Sequence, residues 1–149
     1  MWKAQQQETR LDFALVIEEA DDLRSSIVSL LREHGWLVHG VSRPEQAFSI
    51  LAHIPYNLIV LDSELPGMGG VDLVRMMRNA RKWQKIRRVV MMSPNAAGLT
   101  SEAGVYGVFL ARKSMWKDDL LSFLRVYDEE VGTTNVCASD VGDLNEINL

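Results

Sequence analysis

Four places in this chain carry polar residues directly after an apolar run, and these are the residues whose types could do chemistry. Glu18-Glu19 follow Phe13 to Ile17, Asp62 follows Leu58 to Leu61, Ser93 follows Ile86 to Met92, and Lys113 stands just beyond Val108 to Ala111. Carboxylates brought close together repel, by about 4 kcal/mol for a pair about 4 Å apart at an effective dielectric of about 20. A cation must offset that, and Mg²⁺, which prefers carboxylates, carbonyls and water, suits the role, with Lys113 as a further positive charge. A carboxylate beside Mg²⁺, an amine and a hydroxyl has the makings of a phosphoryl acceptor. The metal neutralises equatorial oxygens, the carboxylate attacks, and the cations hold the anionic product. Each residue alone also has a plain structural use: Asp62 and Ser93 in turns, the two glutamates solvating a loop, Lys113 as a surface cation near a helix start.

The elements that must position these groups alternate. Leu58 to Leu61 is an unbroken apolar run, as a strand buried on both faces of a parallel sheet requires, and the Pro- and Gly-rich turn Leu65-Pro66-Gly67-Met68-Gly69-Gly70 follows Asp62. Phe13 to Ile17 reads as a first strand. Asp21 and Asp22 then open a helix as caps and as charges facing its dipole, with Gly35 as its stop. Trp36 to Val41 reads as a strand, Glu45 to His53 as a helix behind Pro44, and Gly70 to Arg81 as a third helix. A fourth strand is expected over Ile86 to Met92 and a fifth over Val108 to Ala111, with a last helix over Trp116 to Glu130. Between those two strands, Gly98, Gly104 and Gly107 leave room only for a short or irregular helix. Strands alternating with helices imply a parallel α/β sheet, and right-handed crossovers place every strand end on one edge, where ligands bind in such folds.

Composition sets bounds. A chain of 149 residues, 47% hydrophobic and 24% charged, is ordinary for one globular domain. No apolar run approaches the roughly 20 residues needed to cross a bilayer, and the start, Met1 to Glu8, lacks the apolar core of a signal peptide. Cys137 is the only cysteine, which excludes an internal disulfide and a Cys-based zinc cluster. These features point to a cytoplasmic protein. A net charge of −4 argues against a domain devoted to nucleic acid. Arg75, Arg78, Arg81, Lys82, Lys85, Arg87 and Arg88 form a run with no acid between them, read as a solvated face complementing a helix C-terminus, or else as a docking patch for an acidic partner. His34, His39 and His53 show no ligand spacing. Residues 1–11 read as a flexible start, 12–130 as the domain, and 131–149 as a mobile tail or truncated linker.

Taken together, these residues resemble the receiver domain of two-component response regulators. The resemblance runs from about residue 12 to residue 130. It rests on the acidic pair, on Leu61-Asp62 with Leu65-Pro66-Gly67-Met68-Gly69-Gly70, on Ser93 after the fourth strand, on Lys113 after the fifth, and on Arg24 five residues beyond Glu19. The stretch Lys113-Ser114-Met115-Trp116-Lys117-Asp118-Asp119-Leu120 looks like the family's approach to its last helix. The resemblance implies a flavodoxin-like (CheY-like) doubly wound fold, five parallel strands in the order 2-1-3-4-5 with helices on both faces. It implies that Asp62 accepts a phosphoryl group from a sensor histidine kinase or phosphotransfer protein. Glu18, Glu19, Asp62 and the backbone carbonyl of Glu64 would hold Mg²⁺, Ser93 would bond a phosphoryl oxygen, and Lys113 would pair with it. A shift of the fourth helix, fifth strand and last helix would then change a surface for a downstream protein or effector domain. Such a module is no enzyme beyond Mg²⁺-dependent self-phosphorylation and autodephosphorylation, and it binds neither nucleic acid nor membrane directly.

The chain departs from the family pattern in places. The acidic pair is usually Asp-Asp or Glu-Asp, and here it is Glu-Glu; the extra methylene moves a carboxylate outward by roughly 1.5 Å. Weaker Mg²⁺ binding is expected, with Glu19 folding back or binding through water. Ser114 stands where Pro commonly follows the lysine, and Arg112 competes with Lys113 for the cation's role. The family's rotating aromatic corresponds to Phe109 or Leu110. Two other functions therefore stay open: a degenerate pseudo-receiver that binds partners without phosphorylation, and a small phosphohydrolase using Asp62 with Glu64 as the second acid. The second lacks a cap domain and further motifs. Homodimerisation through the last helix is left open.

Overall fold

The computed structural model describes residues 12–83 and 86–126; the expected flexible start over 1–11 and the tail over 131–149 lie outside the described residues. The chain divides into two compact units at Ser114 and Met115. The first contains β1 (Phe13–Ile17), α1 (Asp21–Glu33), β2 (Leu37–Val41), α2 (Pro44–Leu51), β3 (Leu58–Asp62), α3 (Gly70–Asn79), β4 (Arg88–Ser93), α4 (Thr100–Tyr106) and β5 (Phe109–Arg112). The described part of the second is a helix over 116–126.

All strand pairings are parallel and the order is β2-β1-β3-β4-β5, as the resemblance implies. Side chains along each strand alternate between the two faces. Leu15, Ile17, Ile59, Leu61, Val89 and Met91 form one core with Ala47 and Leu51 of α2 and Leu73, Val74 and Met77 of α3. On the other face α1 lies against β1 and β2, burying Ile27, Leu30 and Leu31. β3 is buried at every position, which is why its sequence is continuously apolar up to its last residue.

The element ends differ from the sequence reading by a residue or two, and hydrogen bonds supply the reasons. Trp36 precedes β2 because its N–H closes α1 onto Leu31 O (3.1 Å), and Val108 precedes β5 because its N–H is spent on Ala103 O of α4 (3.0 Å). Ile86 is buried like a strand residue, yet its carbonyl accepts from the Arg78 guanidinium (2.6 Å), and β4 begins at Arg88. Ala20, not Asp21 or Asp22, is the N-cap of α1, without a side-chain cap bond; the two aspartates occupy the first turn. α3 stops at Asn79, and Arg81–Trp83 continue as a 3-10 turn. The stretch between β4 and β5 is a 3-10 turn over Ala96–Leu99 followed by the seven-residue α4, short as its glycines led one to expect.

Candidate functional site

Register brings the polar strand ends together. Ile17 is level with Leu61, Asp62 with Met92, and Met92 with Ala111, so Glu18 falls beside Asp62 at the carboxyl edge. Lys113 opens the 3-10 turn directly after β5, whereas Arg112 is the last residue of that strand, level with Ser93. Lys113 Nζ donates to Asp62 Oδ2 at 2.5 Å and lies 4.0 Å from Glu18 Oε1.

The turn after β3 holds Asp62 from below. The Glu64 N–H donates to Asp62 Oδ1 (3.0 Å), the Ser63 N–H to Met92 O (2.8 Å), and the Gly70 N–H to Ser63 O (2.8 Å). A Cβ at Gly70 would lie 2.5 Å from Asp62 O and 2.8 Å from Ser63 Cα, so the start of α3 passes too close to β3 for any side chain there. The sequence marks this position only as a turn glycine; its steric role comes from the crossing.

Asp62 is 1% exposed and Glu18 2%, while the Lys113 side chain is 30% exposed. Glu18 Oε2 accepts the Ala20 N–H (2.9 Å), but Oε1 is buried with no hydrogen-bond partner. Burial pushes the Glu18 carboxyl above its ordinary range and the Asp62 charge pushes it further, against the Ala20 amide and Lys113, which pull it down. Burial pulls Lys113 down, but its bond to Asp62 and the charges of Asp62, Glu18 and Glu64 outweigh that and raise it overall. With both acids ionised, two negative charges face one positive charge.

The other candidates are placed differently. Ser93 is buried one residue past the strand partner of Asp62, and its Oγ accepts the Asn95 N–H (3.0 Å). The side chains of Glu19 and Glu64 are exposed, and no three His, Cys, Asp or Glu side chains gather as a ligand set among the described residues. The orphaned Glu18 oxygen, the Asp62 carboxylate and the nearby turn carbonyls still offer hard oxygen donors and an unmet negative charge, which fit Mg²⁺.

Arg75, Arg81, Lys82 and Arg87 are exposed, as a solvated face would be, while Arg78 is half-buried and bound to carbonyls. Arg78 donates to Tyr106 O (2.9 Å), Ile86 O (2.6 Å) and Gly107 O (3.4 Å), and burial lowers its pKa. It does complement a helix C-terminus, but that of α4. Arg75 bonds Tyr106 Oη (3.1 Å) and Asp72 (2.7 Å). No periodicity in the sequence marks their ties to α4, because those partners, at Tyr106 and Gly107, are 28 to 31 residues away.

Comparison with known proteins places the fold among relatives. A family model described as the response regulator receiver domain matches residues 14–122. The two-component response regulator PhoP of Pseudomonas aeruginosa is 37% identical over 68 residues, 46% of this chain and 30% of its own length. Protein RcaC of Microchaete diplosiphon is 24% identical over 72 residues, 48% of this chain and 11% of its own. The matched stretches therefore span less than a third of these curated relatives. The structure of the Vibrio cholerae chemotaxis response regulator CheY4 superposes with a TM-score of 0.70 at 17% identity, covering 78% of this chain and 98% of that one. The response regulator TrrA of Thermotoga maritima, solved in complex with Mg²⁺ and BeF, has a TM-score of 0.65 at 19% identity, covering 77% and 97%. At such identities the likeness is one of fold.

Proposed function

This chain belongs to the response regulator receiver-domain family, and from that premise we propose that Asp62 accepts a phosphoryl group from a histidine kinase or phosphotransfer protein. The observation that carries the reading is a carboxylate 1% exposed at a strand end, bonded to Lys113 at 2.5 Å beside a buried glutamate with an orphaned oxygen. Lys113 pairs with the Asp62 carboxylate, and the Glu64 amide fixes the plane of that carboxylate.

In the transfer an Asp62 oxygen bonds to phosphorus as the P–N bond of the phosphohistidine breaks. The imidazole leaves with the electron pair and takes up a proton. Lys113 then pairs with the phosphoryl oxygens, and the Ser93 hydroxyl, which uses its oxygen to accept from Asn95, keeps its proton for donation to the same group. Glu18, Asp62 and the Glu64 carbonyl would hold Mg²⁺, with Glu19 reaching it through water, and the ion would supply neutralisation of phosphoryl charge. New charge-assisted bonds at Lys113 and Ser93 would bias α4 and β5 toward a second arrangement that a downstream protein or effector domain reads. α4 fully buries none of its residues, which suits an element that must move.

Incubation with Mg²⁺ and acetyl phosphate, followed by intact-mass measurement, tests this. A gain of one phosphoryl group, absent from Asp62→Asn, is the expected result. No gain, or the same gain in the variant, overturns it. The exposed Glu19 side chain favours one other reading, a receiver that binds partners without phosphorylation, and an unmodified wild type that still binds its partner would select it.

A further inference from the structure

Arg24 stands in α1 beside the acidic loop. Its Nη1 donates to the carbonyls of Glu18 (2.8 Å) and Glu19 (3.3 Å), and its Nη2 donates to Asp21 Oδ1 (2.6 Å). The stem of the side chain runs over β2 at Gly40, where a Cβ would lie 3.3 Å from Arg24 Cγ, 3.4 Å from Arg24 Cδ and 3.2 Å from Val28 Cγ2. A glycine inside a strand weakens it, and close approach of another group is a common reason to find one there. Here the approaching group is the arginine.

We propose that Arg24, seated over Gly40, is a positioning residue for the acid pocket: it fixes the backbone of Glu18 and Glu19 so that the Glu18 carboxylate stays turned toward Asp62 and Lys113. The inference rests on the reading that this pocket takes Mg²⁺ and a phosphoryl group. A buried carboxylate next to another has every electrostatic reason to swing into solvent. Three attachments oppose that swing: the Ala20 amide on Glu18 Oε2, the Glu18 N–H on Val41 O (3.0 Å), and the guanidinium on the Glu18 carbonyl, the one of the three made by a side chain of α1. Ala20, the N-cap of α1, makes no side-chain cap bond of its own. Arginine suits the task because its planar fork serves two carbonyls and a carboxylate at once, which the point charge of lysine does not.

Full-length chains carrying Arg24→Gln, Arg24→Lys, Gly40→Ala and the Gly40→Ala/Arg24→Gln pair test the inference. Each is titrated with Mg²⁺ alone while the amide resonances of the 62–64 turn are followed by NMR, and each is melted separately. Loss of a group that orients metal ligands typically costs about 10- to 100-fold in affinity. Arg24→Gln is expected to raise the half-saturating Mg²⁺ concentration about tenfold, with Arg24→Lys restoring little of it. Gly40→Ala, which crowds the arginine stem, is expected to raise it about threefold, and the pair no further than Arg24→Gln alone, because both act through one side chain. Lower melting temperatures with unchanged half-saturation would mean a merely structural arginine and overturn the inference. So would additive effects in the pair. A wild type that shows no Mg²⁺ response overturns the underlying reading instead, a failure set apart because the variants then have nothing to lose.

Discussion

The carboxyl edge of β1, β3 and β4 and the flank formed by α4 and β5 are built on opposite plans. At the first, strands buried on both faces end in Glu18, Asp62 and Ser93; the Glu64 N–H holds the Asp62 carboxylate, and the Ser63 and Gly70 amides close the turn beside it. At the second, α4 fully buries nothing and Val105 is 74% exposed. Beneath it lies a shallow apolar cleft, open to solvent and lined by Val71, Met91, Leu99, Ala103, Tyr106 and Leu110. β5 is held by its ladder with β4, whereas the polar ties on α4 run from Arg75 and Arg78 to its last residues. The contrast teaches how one small domain joins two kinds of attachment: apolar burial fixes the strand ends, and a few separable polar bonds help retain α4.

The largest expected effect breaks the fixed side. Ile59→Ala removes a fully buried β3 side chain and is expected to cost about 3 kcal/mol in urea denaturation, whereas Val105→Ala on α4 stays within about 0.5 kcal/mol. Equal costs would erase the contrast. Next comes Gly70→Ala, whose added methyl would press on Asp62 O and Ser63 Cα; about 2 kcal/mol of destabilisation is expected, together with slower phosphorylation, since relief must displace the backbone of the proposed acceptor. Normal stability with a normal rate would contradict that crossing.

Arg78→Ala sharpens the comparison from the other side. It strips donors from the Tyr106, Gly107 and Ile86 carbonyls and is expected to cost about 1.5 kcal/mol. Amide exchange over 100–107 should rise while that of β3 stays protected, and uniform acceleration would argue against a separable flank.

The smallest effect is a pH dependence. Glu18 has a folded-state pKa above its unfolded value of 4.5, so between the two the folded chain binds the extra proton and stability falls as pH rises. The penalty is complete above the folded pKa and absent below pH 4.5. Glu18→Gln removes it, so the variant is expected to be more stable than wild type at neutral pH in the absence of Mg²⁺, with the gap closing toward pH 4.5. A gap that widens on acidification would reverse the sign.

The sheet was legible because burial on both faces writes itself as consecutive apolar residues, as in Phe13–Ile17 and Leu58–Asp62. The site was legible because parallel register makes strand ends neighbours, so four distant polar residues share an edge. Boundaries were less so wherever an apolar residue spends its backbone outside the ladder, as Trp36, Ile86 and Val108 do. The choice between Arg112 and Lys113 rests on the contact of Lys113 with Asp62, which no spacing reveals. Gly40 did carry a usable signal, a glycine in mid-strand, but naming what lies over it required the path of the Arg24 side chain.

The most direct test of the central claim is chemical trapping of the acceptor. Treating the acetyl-phosphate-loaded protein with borohydride reduces an aspartyl phosphate to homoserine, and peptide mass mapping locates it. Conversion at position 62, abolished by omitting Mg²⁺ and sharply reduced in Lys113→Ala, is the expected result. Conversion at another carboxylate, or none with a folded wild type, would contradict the account.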